Sequence, residues 1–118
     1  MSKPLALVVE DDPLQNQIFA LALSGSFAIE TFADGSHAMA RLAEVTPKLV
    51  VLDINLPGAS GAQVLEVIRR DKRFNDTRVI LATANSQEAE ILREKSDIVL
   101  LKPISPIQLR EFAERMKS

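Results

Sequence analysis

Two adjacent acids, Glu10 and Asp11, a third acid at Asp53, a hydroxyl at Thr83 and an ammonium at Lys102 each stand where an apolar run of this chain stops. Leu5 to Val9 ends at Glu10-Asp11, Leu49 to Leu52 at Asp53, Arg78 to Ala82 at Thr83, and Asp97 to Leu101 at Lys102. Brought together, three carboxylates repel one another, two unit charges 4 Å apart by about 4 kcal/mol at an effective dielectric of 20. A cation belongs among them, and a donor set made of oxygens selects a hard ion, Mg2+ or Mn2+. A carboxylate beside such an ion is also a nucleophile able to form an acyl phosphate. Lys102 and the cation would offset the charge that moves, and Thr83 would hydrogen-bond a phosphoryl oxygen.

Those residues converge only if the runs that precede them are strands of one sheet. Leu49 to Asp53, bounded downstream by Pro57 and Gly58, reads as a strand buried on both faces, the kind found inside a parallel sheet. Phe27 to Phe32 alternates and suits an edge. Asp12 is placed to cap a first helix, with Pro13 at its first position and Gln15 as the return partner of a capping box; that helix reaches about Leu23 and turns Leu14, Ile18, Leu21 and Ala22 inward. Asp34-Gly35-Ser36 opens a second helix running to about Val45, with His37 on its surface.

A third helix begins at Ser60 or Gly61, buries Val64, Leu65, Val67 and Ile68, and frays through Arg69 to Asp76. A short fourth covers about Ser86 to Lys95. The last repeats the cap, proline and Gln arrangement at Ser105, Pro106 and Gln108 and buries Leu109, Phe112, Ala113 and Met116. Strand and helix alternate five times, which gives an α/β fold with helices on both faces of a five-stranded parallel sheet. With the alternating strand at an edge and the Asp53 strand central, the doubly wound flavodoxin-like order 2-1-3-4-5 follows, and it places the five chemical residues along one sheet edge, where such folds bind ligands.

Bulk properties agree and exclude alternatives. The 118 residues, 47% hydrophobic and 25% charged, are expected to form one domain over 1–118. With no Cys and one His there is neither a disulfide framework nor a zinc ligand set. A net charge of −2 supplies no basic footprint for direct nucleic-acid binding. No stretch approaches the roughly 20 apolar residues of a membrane span, and the expected location is the cytoplasm.

Val8-Val9-Glu10-Asp11, Asp53 with Pro57 and Gly61 downstream, Thr83-Ala84 and Lys102-Pro103 together resemble the receiver domain of two-component response regulators, over essentially the whole chain. The resemblance implies that Asp53 accepts phosphate from a phospho-His of a sensor histidine kinase or a histidine phosphotransfer protein. It implies that Asp11 holds Mg2+ directly and Glu10 through water, with Asp53 and the main-chain carbonyl of Asn55 as further ligands. Thr83 and Lys102 would contact the phosphoryl group, and the Lys102-Pro103 bond would be cis. Such a domain is a regulator that assists its own phosphorylation and dephosphorylation, not an enzyme acting on other substrates. Asn55 and Asn85 occupy the two positions that influence how long the phosphate lasts in that family.

Two departures from the family pattern concern output. Val99 stands three residues before Lys102, where receivers carry an aromatic whose rotation accompanies the Thr, and a β-branched aliphatic does not swing that way. The interval from Thr83 to Lys102 is short, so the fourth helix should be short or reoriented. Output is expected to pass to a separate effector protein or to a homodimer. The alternative is an unphosphorylated receiver-like docking module. A small Mg2+-dependent phosphatase is disfavoured, because Asn55 stands where its second acid would be.

Overall fold

In the computed structural model, which describes residues 2–117, a five-stranded parallel sheet is wrapped by helices on both faces. Along the chain run β1 (Leu5–Val9), α1 (Pro13–Leu23), β2 (Ala28–Phe32), α2 (Gly35–Leu42) and β3 (Leu49–Asp53). They are followed by α3 (Gly61–Arg70), β4 (Arg78–Thr83), α4 (Ser86–Leu92), β5 (Ile98–Leu101) and α5 (Pro106–Arg115). The strand order is β2-β1-β3-β4-β5, as the patterning requires. Every residue of β3 is buried, whereas the edge strand β2 has none fully buried.

Alternation along the strands sends side chains to two apolar layers. Leu7, Val9, Val50, Leu52, Val79 and Leu81 meet Ala38, Leu42, Val64, Leu65, Ile68 and Phe74 on the side of α2 and α3. Ala6, Val8, Leu49, Val51, Ile80 and Ala82 meet Phe19, Leu23, Leu109 and Ala113 on the side of α1 and α5. Each fully buried Leu or Phe contributes about 1.5–3 kcal/mol relative to exposure. The layers thereby fix where the strand ends lie.

Several helix details differ from the sequence reading. In α1 the buried residues are Phe19 and Leu23, while Leu14 and Leu21 are 66% and 73% exposed; Ile18 and Ala22 are partly buried as expected. The helix is apolar on two stripes, and packing against β1, β2 and α5 selects the other one. Asp12 does cap α1, its Oδ1 accepting the Leu14 and Gln15 amides at 3.0 and 3.4 Å, but Gln15 does not complete a box and its Oε1 is buried without a partner. The complete capping box is at α3, between Ser60 and Gln63.

Helix α2 ends at Leu42, short of Val45, where the Arg73 guanidinium donates to the Leu42 and Ala43 carbonyls. After α3 the chain does not fray: Lys72–Phe74 forms a 3₁₀ turn whose Phe74 ring is buried under Arg73. Val67 is only partly buried. In α5, Leu109 and Ala113 are buried and Phe112 and Met116 partly so. Among the described residues no helix is long and apolar enough to cross a membrane.

Candidate functional site

Parallel register brings the chemistry to one edge. Val9 pairs with Leu52, so Glu10 and Asp53, the next residues on β1 and β3, emerge at the same level; Asp53 itself pairs with Ala82, one residue before Thr83. Glu10 and Asp53 are 2% and 6% exposed, whereas Asp11 is exposed. One carboxylate oxygen from each of the three lies within 4.8 Å of the others. Asp11 also lines two shallow grooves of about 440 and 560 Å³, one toward Asn16 and Phe32 and one toward His37 and Gly58. The acid cluster is therefore buried at its floor and open at Asp11.

Lys102 reaches back across β4 to this floor. Its Nζ lies 2.7 Å from Glu10 Oε1 and 3.2 Å from Asp53 Oδ2, with only 16% of the side chain exposed. Burial alone would lower the lysine's pKa, but its hydrogen bonds and charge interactions with Glu10 and Asp53 raise it above the ordinary value. Burial pushes the Glu10 carboxyl up, against the opposing pull of Lys102 and of the Asp12 amide, which donates to Glu10 Oε2 at 3.1 Å. Three carboxylates against one ammonium leave a charge of −2, the amount one divalent cation offsets. The all-oxygen donors fit a hard ion.

The backbone around Asp53 is tightly determined. The Asn55 amide donates to Asp53 Oδ1 at 3.3 Å, and the Gly61 amide donates to the Ile54 carbonyl at 2.8 Å. A Cβ at Gly61 would stand 2.1 Å from the Asp53 carbonyl oxygen, so only glycine lets α3 start this close to the strand end. The Asn55 side chain is exposed. The Lys102-Pro103 bond is cis.

Thr83 is fully buried at the neighbouring strand end, its main-chain carbonyl accepting the Lys102 amide at 2.8 Å. Its hydroxyl accepts the Asn85 amide at 3.1 Å, and no hydrogen bond joins it to Asp53 or the Lys102 ammonium among the described residues. Asn85 caps α4: Oδ1 accepts the Gln87 and Glu88 amides, both at 3.0 Å, and Nδ2 donates to Glu88 Oε1 at 3.1 Å. Both polar atoms of that side chain are thus engaged. Val99 is half-buried against the apolar layer that holds Leu92, and α4 is a helix of only 7 residues.

One contributor is invisible in the strand-end pattern. Asn16 of α1 donates from Nδ2 to the Glu10 and Phe32 carbonyls, at 2.9 and 3.1 Å. Its signal in the sequence is faint, an amide three residues before the buried Phe19 on an otherwise apolar inner face. His37 is 80% exposed and paired with Asp34 at 2.5 Å, the surface position expected of it.

Comparison with known proteins follows the same line. The family model for the response regulator receiver domain matches residues 6–114. The chain is 32% identical over 111 residues to hybrid signal transduction histidine kinase D of Dictyostelium discoideum, covering 92% of this chain and 7% of the relative. It is 33% identical over 107 residues to the DNA-binding response regulator MtrA of Mycolicibacterium smegmatis, covering 87% and 46% respectively. The chain thus spans less than half the length of these relatives. Among solved structures, the receiver domain of a Pseudomonas aeruginosa sensor histidine kinase, which carries a magnesium ion in its active-site cleft, superposes with a TM-score of 0.88 at 23% identity, over 99% of this chain and 100% of that one.

Proposed function

The chain belongs to the response regulator receiver family, and from that premise we propose that Asp53 is its phosphoacceptor, charged in the cytoplasm by a phospho-histidine of a sensor histidine kinase or a histidine phosphotransfer protein. A carboxylate oxygen of Asp53 attacks phosphorus, the phosphorus–nitrogen bond breaks, and the electron pair leaves with the imidazole. The observation that carries this reading is the position of Asp53: buried at the end of the central strand, grouped with Glu10 and Asp11, and bonded to Lys102.

Glu10, Asp11, Asp53 and the Asn55 carbonyl would hold Mg2+, with Mn2+ as a substitute of the same hardness. When bound, the ion offsets negative charge on the phosphoryl oxygens. Lys102 is already fixed by two carboxylates and supplies a positive charge that needs no reorganisation. Thr83 would donate its O–H to the acyl phosphate while its oxygen accepts the Asn85 amide, and that shared hydroxyl ties the state of Asp53 to the residue that caps α4. The downstream partner is a separate effector or a second copy of the chain.

Val99 changes how the signal travels. Without an aromatic to rotate, β5 responds less than the Thr83 loop. In a titration with Mg2+ and beryllofluoride, amide shifts from Thr83 to Leu92 are expected to exceed those from Val99 to Ile104. Equal movement of both segments would sink this part of the reading.

The acceptor role is tested by incubating wild type and Asp53→Asn with acetyl phosphate and Mg2+ and measuring intact mass. Wild type is expected to gain one phosphoryl group that hydroxylamine removes, and the variant none. A folded, Mg2+-binding wild type that stays unlabelled would instead favour a docking module.

A further inference from the structure

Strand β2 lends no side chain to the acid cluster, yet its end and the start of α2 just after it touch both loops that carry the candidate metal ligands. On one side the Glu10 amide donates to the Phe32 carbonyl at 3.0 Å, and both N–H bonds of the Asn16 carboxamide go to the Glu10 and Phe32 carbonyls. Asn16 thereby fixes the peptide that leads into Asp11. On the other side, the Gly35 amide donates to the Pro57 carbonyl at 3.1 Å, and Ser36 Oγ accepts the Ala59 amide at 3.1 Å. A Cβ at Gly35 would lie 1.8 Å from the Ala59 carbonyl oxygen, so the two loops touch backbone to backbone.

Only Ala33 and Asp34 separate Phe32 from Gly35, and Asp34 is itself held as the cap of α2 by the His37 amide at 2.8 Å. The segment from Phe32 to Ser36 is therefore a short strut with one hand on the acidic loop and the other on the loop after Asp53. Loops that must be ordered when a ligand binds weaken binding by the entropy of that ordering, and outer partners that orient metal ligands carry a large share of the affinity.

Resting on the acceptor reading above, we propose that Asn16 and Ser36 are positioning residues of the metal site. Acting through the segment from Phe32 to Ser36, they hold the Glu10-Asp11 loop and the Asn55 loop at a fixed separation before Mg2+ arrives.

The test titrates Mg2+ alone into apo wild type, Asn16→Ala, Ser36→Ala and the double variant by calorimetry, with Tm recorded for each. Each single change is expected to raise Kd about tenfold. The double variant should be no weaker than about the worse single one, because either loss frees the same strut. Ser36→Thr keeps the hydroxyl and should bind as wild type does. Single variants whose Tm falls while Kd stays within about twofold of wild type would overturn the proposal, as would losses that multiply in the double variant. If Asn16→Ala does not fold, the Ser36→Ala and Ser36→Thr pair decides alone. A wild type that neither binds Mg2+ nor takes phosphate fails before any variant is made, which separates failure of the acceptor reading from failure of the strut.

Discussion

The two halves of the site edge are held by different forces. On the β1–β3 side, Glu10 follows β1, buried from Ala6 to Val9, Asp53 ends the fully buried β3, and α1 anchors that side with Phe19 and Leu23 in the core. On the β4–β5 side, α4 has one fully buried residue, Ala89, and shows Ile91 to solvent at 78%. That helix is kept by its ends. Asn85 caps its start, and Arg69 secures the segment beyond it, donating to the Lys95 and Thr77 carbonyls at 2.7 and 3.1 Å and to Asp97 Oδ2 at 3.0 Å. Asp97 in turn accepts the Val79 amide at 2.7 Å and pairs with Arg78.

Apolar burial resists displacement everywhere along a helix, whereas end restraints can be exchanged one at a time. Local opening is cheapest where few apolar contacts hold the chain. The acid half is thus held along its length by apolar burial, whereas the α4 half is held mainly at its ends.

The largest expected difference between the halves is in core truncation. Phe19→Ala should cost about 3–5 kcal/mol, against less than about 2 kcal/mol for Leu92→Ala, read as a fall in the urea midpoint at constant slope. Equal losses would erase the distinction.

Next comes Arg69→Ala, which breaks three hydrogen bonds with charge assistance and should cost about 1–3 kcal/mol. Its signature is regional: hydrogen exchange should quicken from Ser86 to Ser96 more than at Val8 and Leu52. Uniform loss of protection would mean that α4 is part of the same cooperative unit as β1 and β3.

The smallest effect contrasts two glutamates of opposite sign. Hydrogen bonds from Arg41 to Glu30, at 2.8 and 3.0 Å, hold that carboxyl below the ordinary range. Its stabilising share is therefore present above the ordinary glutamate pKa and is lost as pH falls through the lowered folded value. Glu10, raised chiefly by burial, works the other way: the folded state gains a proton more readily than the unfolded chain, which favours folding on the acid side. Glu30→Gln should make the acid limb of Tm against pH shallower by a small amount, since the pair is about one-third exposed. An unchanged limb would show that the Arg41 pair adds nothing to stability.

Much of this was legible because strands announce themselves in short apolar runs and the chemical residues stop those runs. The Asp53 strand needed no tertiary information. Helix α1 did, because Leu14, Ile18, Leu21 and Ala22 read as one apolar stripe while the residues buried are Phe19 and Leu23, and only the neighbours decide between them. The bonds from Asn16 and Ser36 were illegible for a related reason: they end on main-chain carbonyls and amides, which carry no residue identity. The Arg69 hub joins residues 26 and 28 positions apart, and nothing local marks those partners. Asn85 showed its type but not its use, since an Asn two residues past Thr83 serves equally as a cap or as a neighbour of the phosphate.

The central claim is that Asp53 itself takes the phosphoryl group. Borohydride reduces an acyl phosphate to the alcohol, so wild type treated with acetyl phosphate and Mg2+, reduced and mapped by peptide mass, should carry homoserine at position 53 and unmodified aspartate at positions 11 and 12. Homoserine at Asp11 or Asp12, or none anywhere in a folded protein that binds Mg2+, would contradict the account.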